Sequence, residues 1–419
     1  MYKQRQMTKK NKVSESTLKY SILDIKLIDI AYLLAFASFF IPSSYAVKYP
    51  IYASWKFIVC SVSIVSISHY LLRRKISVRW IVLTVGIISY YLTSKIIMHS
   101  DGRLALALYN TLSVCGFITM LEMRLAEDFR KTLILFIIAG VLMCSINYIS
   151  FILYKDIPGG MRSNDITKYK DALGAGKWFF FKHDNGTVFF YLPVLSCLWY
   201  YLCEFNKGKI TTIIFSLATL YMYWSLWSVT AMIVTTIAVV FFVLIYILKG
   251  EKPFISIDYS LALIVAIGMS VLIVFMVTAG SEIIRRISIA TVKSITFSGR
   301  QRIWEKSLEQ IYAHPLLGVG YEHDMTSISK IYLNHCHNII LQMIYTGGIF
   351  TAALIIGGLF LCETKREGYH KHKTKGQMCL VASAFLIILA STIDWYLYIP
   401  IPFAVFLIYH FSYLSDKQI

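Results

Sequence analysis

The chain is laid out as long apolar runs separated by short charged connectors. The runs fall at 27–45, 51–72, 78–98, 104–123, 132–153, 187–205, 210–228, 229–248, 259–280, 338–363, 377–393 and 399–414. Most hold the roughly 17–25 residues needed to cross a hydrocarbon layer about 30 Å thick. Inside lipid the backbone must satisfy its own hydrogen bonds, so such runs form helices rather than open strands. The stretch 210–248 is continuous and too long for one crossing, and the pattern divides it at Trp227-Ser228-Val229-Thr230. The expectation is an all-α polytopic membrane protein with about 12 transmembrane helices.

The connectors set an orientation. Lys9, Lys10 and Lys12 precede the first run, and Arg73, Arg74, Lys75 and Arg79 follow the second. Arg130 and Lys131 follow the fourth, Lys207 and Lys209 the sixth, and Lys249 and Lys252 the eighth. Lys365, Arg366, Lys371, Lys373 and Lys375 follow the tenth. Every even-numbered exit before the last is basic, which predicts that these connectors and both termini are cytoplasmic. The long basic N-terminus lacks a small-residue cleavage site, so the first run is expected to be an uncleaved span. The organisation predicted is a cytoplasmic tail 1–26, one transmembrane domain 27–414 and a cytoplasmic end 415–419. Residues 154–186 and 281–337 form the long loops on the opposite face.

Composition narrows the class. With 57% hydrophobic and 15% charged residues, the sequence excludes an ordinary soluble domain. The formal charge of +18 belongs to orienting connectors facing membrane lipids, and no nucleic-acid partner is expected. Cys60, Cys115, Cys144 and Cys379 lie inside apolar runs without CxxC pairing, and read as small core hydrophobes.

The second long loop carries an amphipathic helix. Ile303, Trp304, Leu308 and Ile311 recur at helical spacing, with Glu305, Lys306, Glu309 and Gln310 on the other face. It is expected to stop near His314-Pro315, because a residue before proline is disfavoured in a helix. Gly318 and Gly320 then permit a tight turn or a close backbone approach.

The cations of both long loops admit two readings. They attract lipid headgroups or nearby acids such as Asp165, Asp171, Glu282 and Glu305, or they bind an anionic, membrane-borne ligand. Arginine's planar fork matches phosphate oxygens, and a histidine at a membrane mouth accepts a proton near neutral pH. Arg300 and Arg302 close to His337 therefore suit transfer from a phosphate-linked donor. The competing structural reading pairs Arg300 or Arg302 with Glu305 and takes His314 and His323 as structural histidines. A metal site built from His335, His337, His323 and Asp324 lacks an acidic cluster, so no metal or cofactor is expected. Charged groups within spans are sparse: Asp29 and Asp394 lie near run ends, His69 and Lys95 near interfaces. That sparseness, with no internal repeat, disfavours a transporter.

Gly299-Arg300, Trp304, the run His314-Pro315-Leu316-Leu317-Gly318-Val319-Gly320, His337-Asn338 and Gly347-Gly348-Ile349 follow in fixed order. That order resembles the O-antigen ligase and polymerase superfamily, over roughly residues 295–350. The resemblance implies a GT-C-like membrane fold with a large external loop containing short amphipathic helices. It also implies action on undecaprenyl-diphosphate-linked glycans, donor and acceptor, at the outer side of the bacterial cytoplasmic membrane. A chain-length regulator and a flippase are the implied protein partners. The stretch Trp178 to Asn185, and the stretch Ser225 to Thr230 at the expected hairpin, resemble repeat-unit polymerases of the Wzy type that build capsule, exopolysaccharide or O-antigen. Many ligases carry an arginine where this chain has Val229, which favours polymerase over transfer to lipid A–core. Carried over, the resemblance makes His337 the general base and Arg300 the diphosphate binder. Lys182 with Asn185 would bind the donor, and Asn338, with His335, would orient the base or hold the sugar. Arg285, Arg286 and Arg302 join as diphosphate binders on charge and location. The implied chemistry is an inverting, metal-independent glycosyl transfer.

Overall fold

The computed structural model describes residues 26–44, 46–73, 76–93, 96, 104–157, 160–161, 177–182, 184–248, 258–279, 300–321, 336–363, 373–394 and 397–415. Among these residues the chain forms thirteen α-helices. They are α1 Leu27–Ser38, α2 Tyr49–Leu72, α3 Val78–Ile88, α4 Leu104–Glu127, α5 Phe129–Tyr154, α6 Val188–Phe205 and α7 Lys209–Ser225. There follow α8 Val229–Ile247, α9 Tyr259–Thr278, α10 Arg300–Ala313, α11 Ile339–Phe360, α12 Lys375–Asp394 and α13 Phe403–Ser415. Eight of them are long and apolar enough to cross a membrane, and shorter apolar helices accompany them. The protein is a polytopic, all-helical membrane protein, and each of the twelve apolar runs contains one helix. Among the described residues, α10 is the helix that lies outside those runs, and it is amphipathic.

Helix starts are chemically marked. Ser77 accepts from Trp80 N–H at α3, Asp128 from Lys131 N–H at α5, and Asp258 from Leu261 N–H at α9. The division of 210–248 coincides with the turn Leu226–Ser228, where Trp227 takes φ +51°. Two helices stop short of their apolar runs. α1 ends at Ser38 because Pro42 disfavours helix before it, and Ser43 N–H turns instead to Phe180 O at 2.7 Å. α3 passes into a π-helical turn, Ser89–Thr93. The bundle is organised around α12 and α6, the most enclosed spans, with α12 touching α6, α8, α9, α11 and α13.

Charges buried in the bundle gather at the ends predicted to be cytoplasmic. Lys131 Nζ lies 2.6 Å from Asp29, while Arg124 Nη1 meets Glu127 at 2.6 Å and Arg73 also pairs with Glu127. Arg79 and Glu122 form a deeply buried pair at 3.1 Å, and Glu122 also accepts from the Tyr70 and Ser77 hydroxyls. Arg79, read as an orienting connector charge, is therefore also a packing element between α3 and α4. Removing one partner strands the other. Glu122→Leu leaves a guanidinium that cannot shed its proton and is expected to cost about 3–5 kcal/mol. Arg79→Met should cost less, since a stranded carboxyl can protonate. Thermal unfolding of the two purified variants in one detergent checks the order; equal midpoints would remove the argument.

Candidate functional site

The site begins with α10, whose sequence dictates one buried face. Ile303, Trp304 and Ser307 point inward, while Lys306 pairs with Glu309 at 2.7 Å on the outer face. Trp304 is 0% exposed, and its Nε1 donates to Cys336 O at 2.7 Å. Ser307 Oγ lies 3.2 Å from Cys336 Sγ. Below them Val274, Val277, Leu341 and Tyr345 complete a small apolar cluster that seats α10 on α9 and α11. Burial pushes the Cys336 thiol up to about 12, against a smaller opposing effect of Ser307, so it remains a neutral thiol.

This docking fixes His337 and Arg300. Arg300 stands one turn before Trp304 on the same helix face, about 6 Å along the axis. Cys336 N–H donates to Gln342 Oε1 at 2.6 Å, and Asn338 Oδ1 accepts from Leu341 N–H at 3.0 Å. His337 is held between those anchors at φ +51°, in the left-handed region. A non-glycine residue in that conformation persists only when its surroundings over-determine it, and such residues cluster at functional sites. Arg300 Nε and His337 Nδ1 are both shielded from solvent. The Trp304–Cys336 bond thus ties the turn bearing the arginine to the residue preceding the histidine.

The run His314 to Gly320 performs a second attachment. α11 is kinked at Gly348, with φ 74° and ψ 179°. The kink removes the bond that Ile349 N–H would give to Tyr345 O within a regular helix. Ile349 N–H donates instead to Pro315 O at 2.9 Å, and Tyr345 O accepts from Val319 N–H at 2.8 Å. Gly320 N–H adds a bond to Thr346 O at 3.0 Å. The loop satisfies the groups the kink exposes, a condition for breaking a helix at membrane depth. The sequence showed turn glycines; the structure shows a clasp between loop and helix.

Lys182 and Asn185 stand on the first of the two long loops, 154–186. Phe180 N–H donates to Ser150 Oγ at 3.0 Å and Phe181 N–H to Asn147 Oδ1 at 2.9 Å. The Phe181 ring stacks on Phe190 at 4.3 Å. So fixed, Lys182 is 7% exposed, and its ammonium sits 3.8 Å over the Tyr398 ring. Asn185 Oδ1 accepts from Ser228 Oγ at 2.6 Å, which joins the Trp178–Asn185 stretch to the turn between α7 and α8.

The remaining candidates occupy varied surroundings. The Asn338 carboxamide caps α11, while its Nδ2 donates to Ser270 Oγ at 3.0 Å and reaches Thr392 O at 3.5 Å. These bonds anchor the residue next to His337. Asn185 is likewise engaged with Ser228. Arg302 is exposed, and among the described residues Glu305 pairs with Gln301, at 3.0 Å, rather than with either arginine. Arg285, Arg286 and His335 lie outside the described residues. Among the described residues no cluster of three or more His, Cys, Asp or Glu forms a metal-binding group.

Lys56 was missed. It lies in the second turn of α2, and it faces a cavity of ≈ 290 Å³ together with Lys182. The available signal was a lone cation inside an apolar run, which in a membrane marks a functional position by default.

No curated protein matches the chain. Residues 212–356 match the family described as O-antigen ligase. The matched stretch runs from α7 to α11 and takes in the Ser228 turn, Arg300, the clasp and the His337-Asn338 pair. Over that stretch, about a third of its length, this polytopic membrane protein is similar to the O-antigen ligase family.

Proposed function

We propose that this enzyme polymerises undecaprenyl-diphosphate-linked oligosaccharide repeat units into a capsular, exopolysaccharide or O-antigen chain. It works at the outer face of the bacterial cytoplasmic membrane, with both termini in the cytoplasm. The observation that carries the reading is the Trp304–Cys336 hydrogen bond, which holds the Arg300 turn of α10 against the segment bearing His337. In the reaction His337 takes the proton of an acceptor hydroxyl as that oxygen attacks the anomeric carbon of the donor. The bond from that carbon to the diphosphate oxygen breaks on the opposite face, so the configuration inverts. The electron pair leaves with the diphosphate, and the Arg300 guanidinium offsets its charge.

Val229 at the position of the ligase arginine favours polymerisation, whereas the description of the matched family favours transfer of finished polymer to lipid A–core. The full-length protein in lipid nanodiscs, given lipid-linked repeat units alone, is expected to produce a ladder of longer chains by mass spectrometry. Product only when lipid A–core is added would replace polymerase with ligase. Passage of the glycolipid across a vesicle without new glycosidic bonds would replace enzyme with transporter.

A further inference from the structure

α10 changes character along the side it turns away from the bundle. Its exposed positions run Arg302, Glu305, Leu308, Glu309 and Tyr312, and past the helix end they continue through Leu316 and Leu317. The first two are charged. Beyond Glu309, which pairs with Lys306, the exposed side chains turn apolar, with Tyr312 88% and Leu316 69% exposed. Ala313, Pro315 and Leu317 are exposed with them, and His314 lies in their midst. A contiguous apolar patch left open in this way marks a contact surface.

Helix packing gives the depth of that patch. The Tyr259 hydroxyl, at the first residue of α9, donates to Leu359 O at 2.9 Å, so the start of α9 and the end of α11 share one level. Charged groups beside it, Asp258 and the Glu363 that receives the Ser260 hydroxyl, mark one boundary of the hydrocarbon layer. Val274 and Val277, which seat Trp304, stand about 22 and 27 Å along α9 from Tyr259 at a rise of about 1.5 Å per residue. Ile349, bonded to Pro315 O, stands only about 15 Å along α11 from Leu359 by the same rise. α10 therefore descends by roughly 10 Å from its Trp304 end to its Leu316 end. In a layer about 30 Å thick the lower end lies at lipid depth.

The patch also continues a surface that already faces lipid. Leu316 and Leu317 pass directly over Gly348, and the next two residues of the spanning helix α11, Ile349 and Phe350, are exposed. The loop's backbone is prepared for such a place: His314 O accepts from Gly318 N–H at 3.0 Å, while Pro315 O, Val319 N–H and Gly320 N–H pair with α11. We propose that the C-terminal end of α10 and the Leu316-Leu317 turn are seated in the bilayer, with Leu308, Tyr312, Leu316 and Leu317 against the acyl chains of its lipids. The Tyr312 hydroxyl and the His314 ring reach back toward the headgroups, as amphipathic side chains do. The charged end with Arg302 and Glu305 stands higher, so α10 is an inclined helix held by the bundle on one side and by lipid on the other. A surface continuous with the lipid face of a span is covered by lipid without any second chain. The seating does not depend on the reaction proposed above.

Photo-crosslinking of the full-length protein in phosphatidylcholine nanodiscs tests this. The amino acid p-benzoylphenylalanine, which inserts into neighbouring C–H bonds on irradiation, replaces Tyr312, Leu316, Arg302 or Phe350, one site at a time. Mass spectrometry then reads phospholipid adducts. The Tyr312 and Leu316 sites should form them comparably to the Phe350 site and at least tenfold more than the Arg302 site. Adducts at Tyr312 and Leu316 no more abundant than at Arg302 overturn the proposal. Crosslinks from those two sites to a second copy, or to another segment of the same chain, in place of lipid overturn it as well. The unsubstituted protein gives a second reading, in discs containing a phosphatidylcholine with a diazirine at the middle of one acyl chain. Peptides covering 308–317 should be labelled alongside those covering 349–360. Labelling of the second set alone overturns the seating, even where a substituted variant fails to fold.

Discussion

Replacing His337 with asparagine is expected to lower chain lengthening by at least about 100-fold while the protein inserts and purifies like the wild type. Asparagine is the informative choice because residue 337 sits at φ +51°, a region asparagine tolerates better than alanine does. The substitution removes the proton acceptor and leaves the backbone anchors, Cys336 to Trp304 and Asn338 to Leu341, untouched. His337→Ala should lose activity equally and, in addition, lose stability from the strained backbone. The measurements are polymer length on lipid-linked repeat units and the thermal midpoint of each variant. Wild-type polymer from His337→Asn would end the assignment of the base, whatever the alanine variant does.

The membrane architecture was legible because lipid imposes one rule on every span, and a run of apolar residues is enough to see it. Interior polar chemistry follows no such rule. Glu122 and Arg79 each interrupt a different run, and nothing local to either announces a 3.1 Å partner on another helix. Lys56 was visible as a cation within α2 but became a candidate only when α4, the Lys182 loop and the α12–α13 connection closed around it. Asn338 carries a further role, which the sequence also signals. An asparagine immediately before Ile339-Ile340-Leu341 is a helix N-cap signal in its own right, and the capping bond at 3.0 Å is what the chain makes of it. Periodicity showed the face of Ile303, Trp304, Leu308 and Ile311, and the structure extends that helix back to Arg300 and shows what the face rests on.

The motif glycines carry the second large effect. At Gly348, φ 74° and ψ 179° form a combination that is essentially confined to glycine, so any side chain pays strain of order 1–3 kcal/mol. An added Cβ would also stand 1.9 Å from Leu316 O and 2.4 Å from Leu317 N, both rigid backbone atoms of the clasp. Gly348→Ala must therefore push the loop away. Ile349 N–H and Tyr345 O would then lose the partners that compensate the kink, at helix depth where water does not replace them. Because the same loop leads from α10, release of the clasp should loosen Arg300 relative to His337 without touching either. Gly348→Ala is expected to lose more than tenfold in chain lengthening and to unfold at a lower temperature. Gly357, farther along the same helix, has no atom within 4 Å of a built Cβ, so Gly357→Ala should be neutral or slightly stabilising through better helix propensity. If Gly348→Ala matched Gly357→Ala in midpoint and in polymer length, the clasp would not be what couples α10 to the helical bundle.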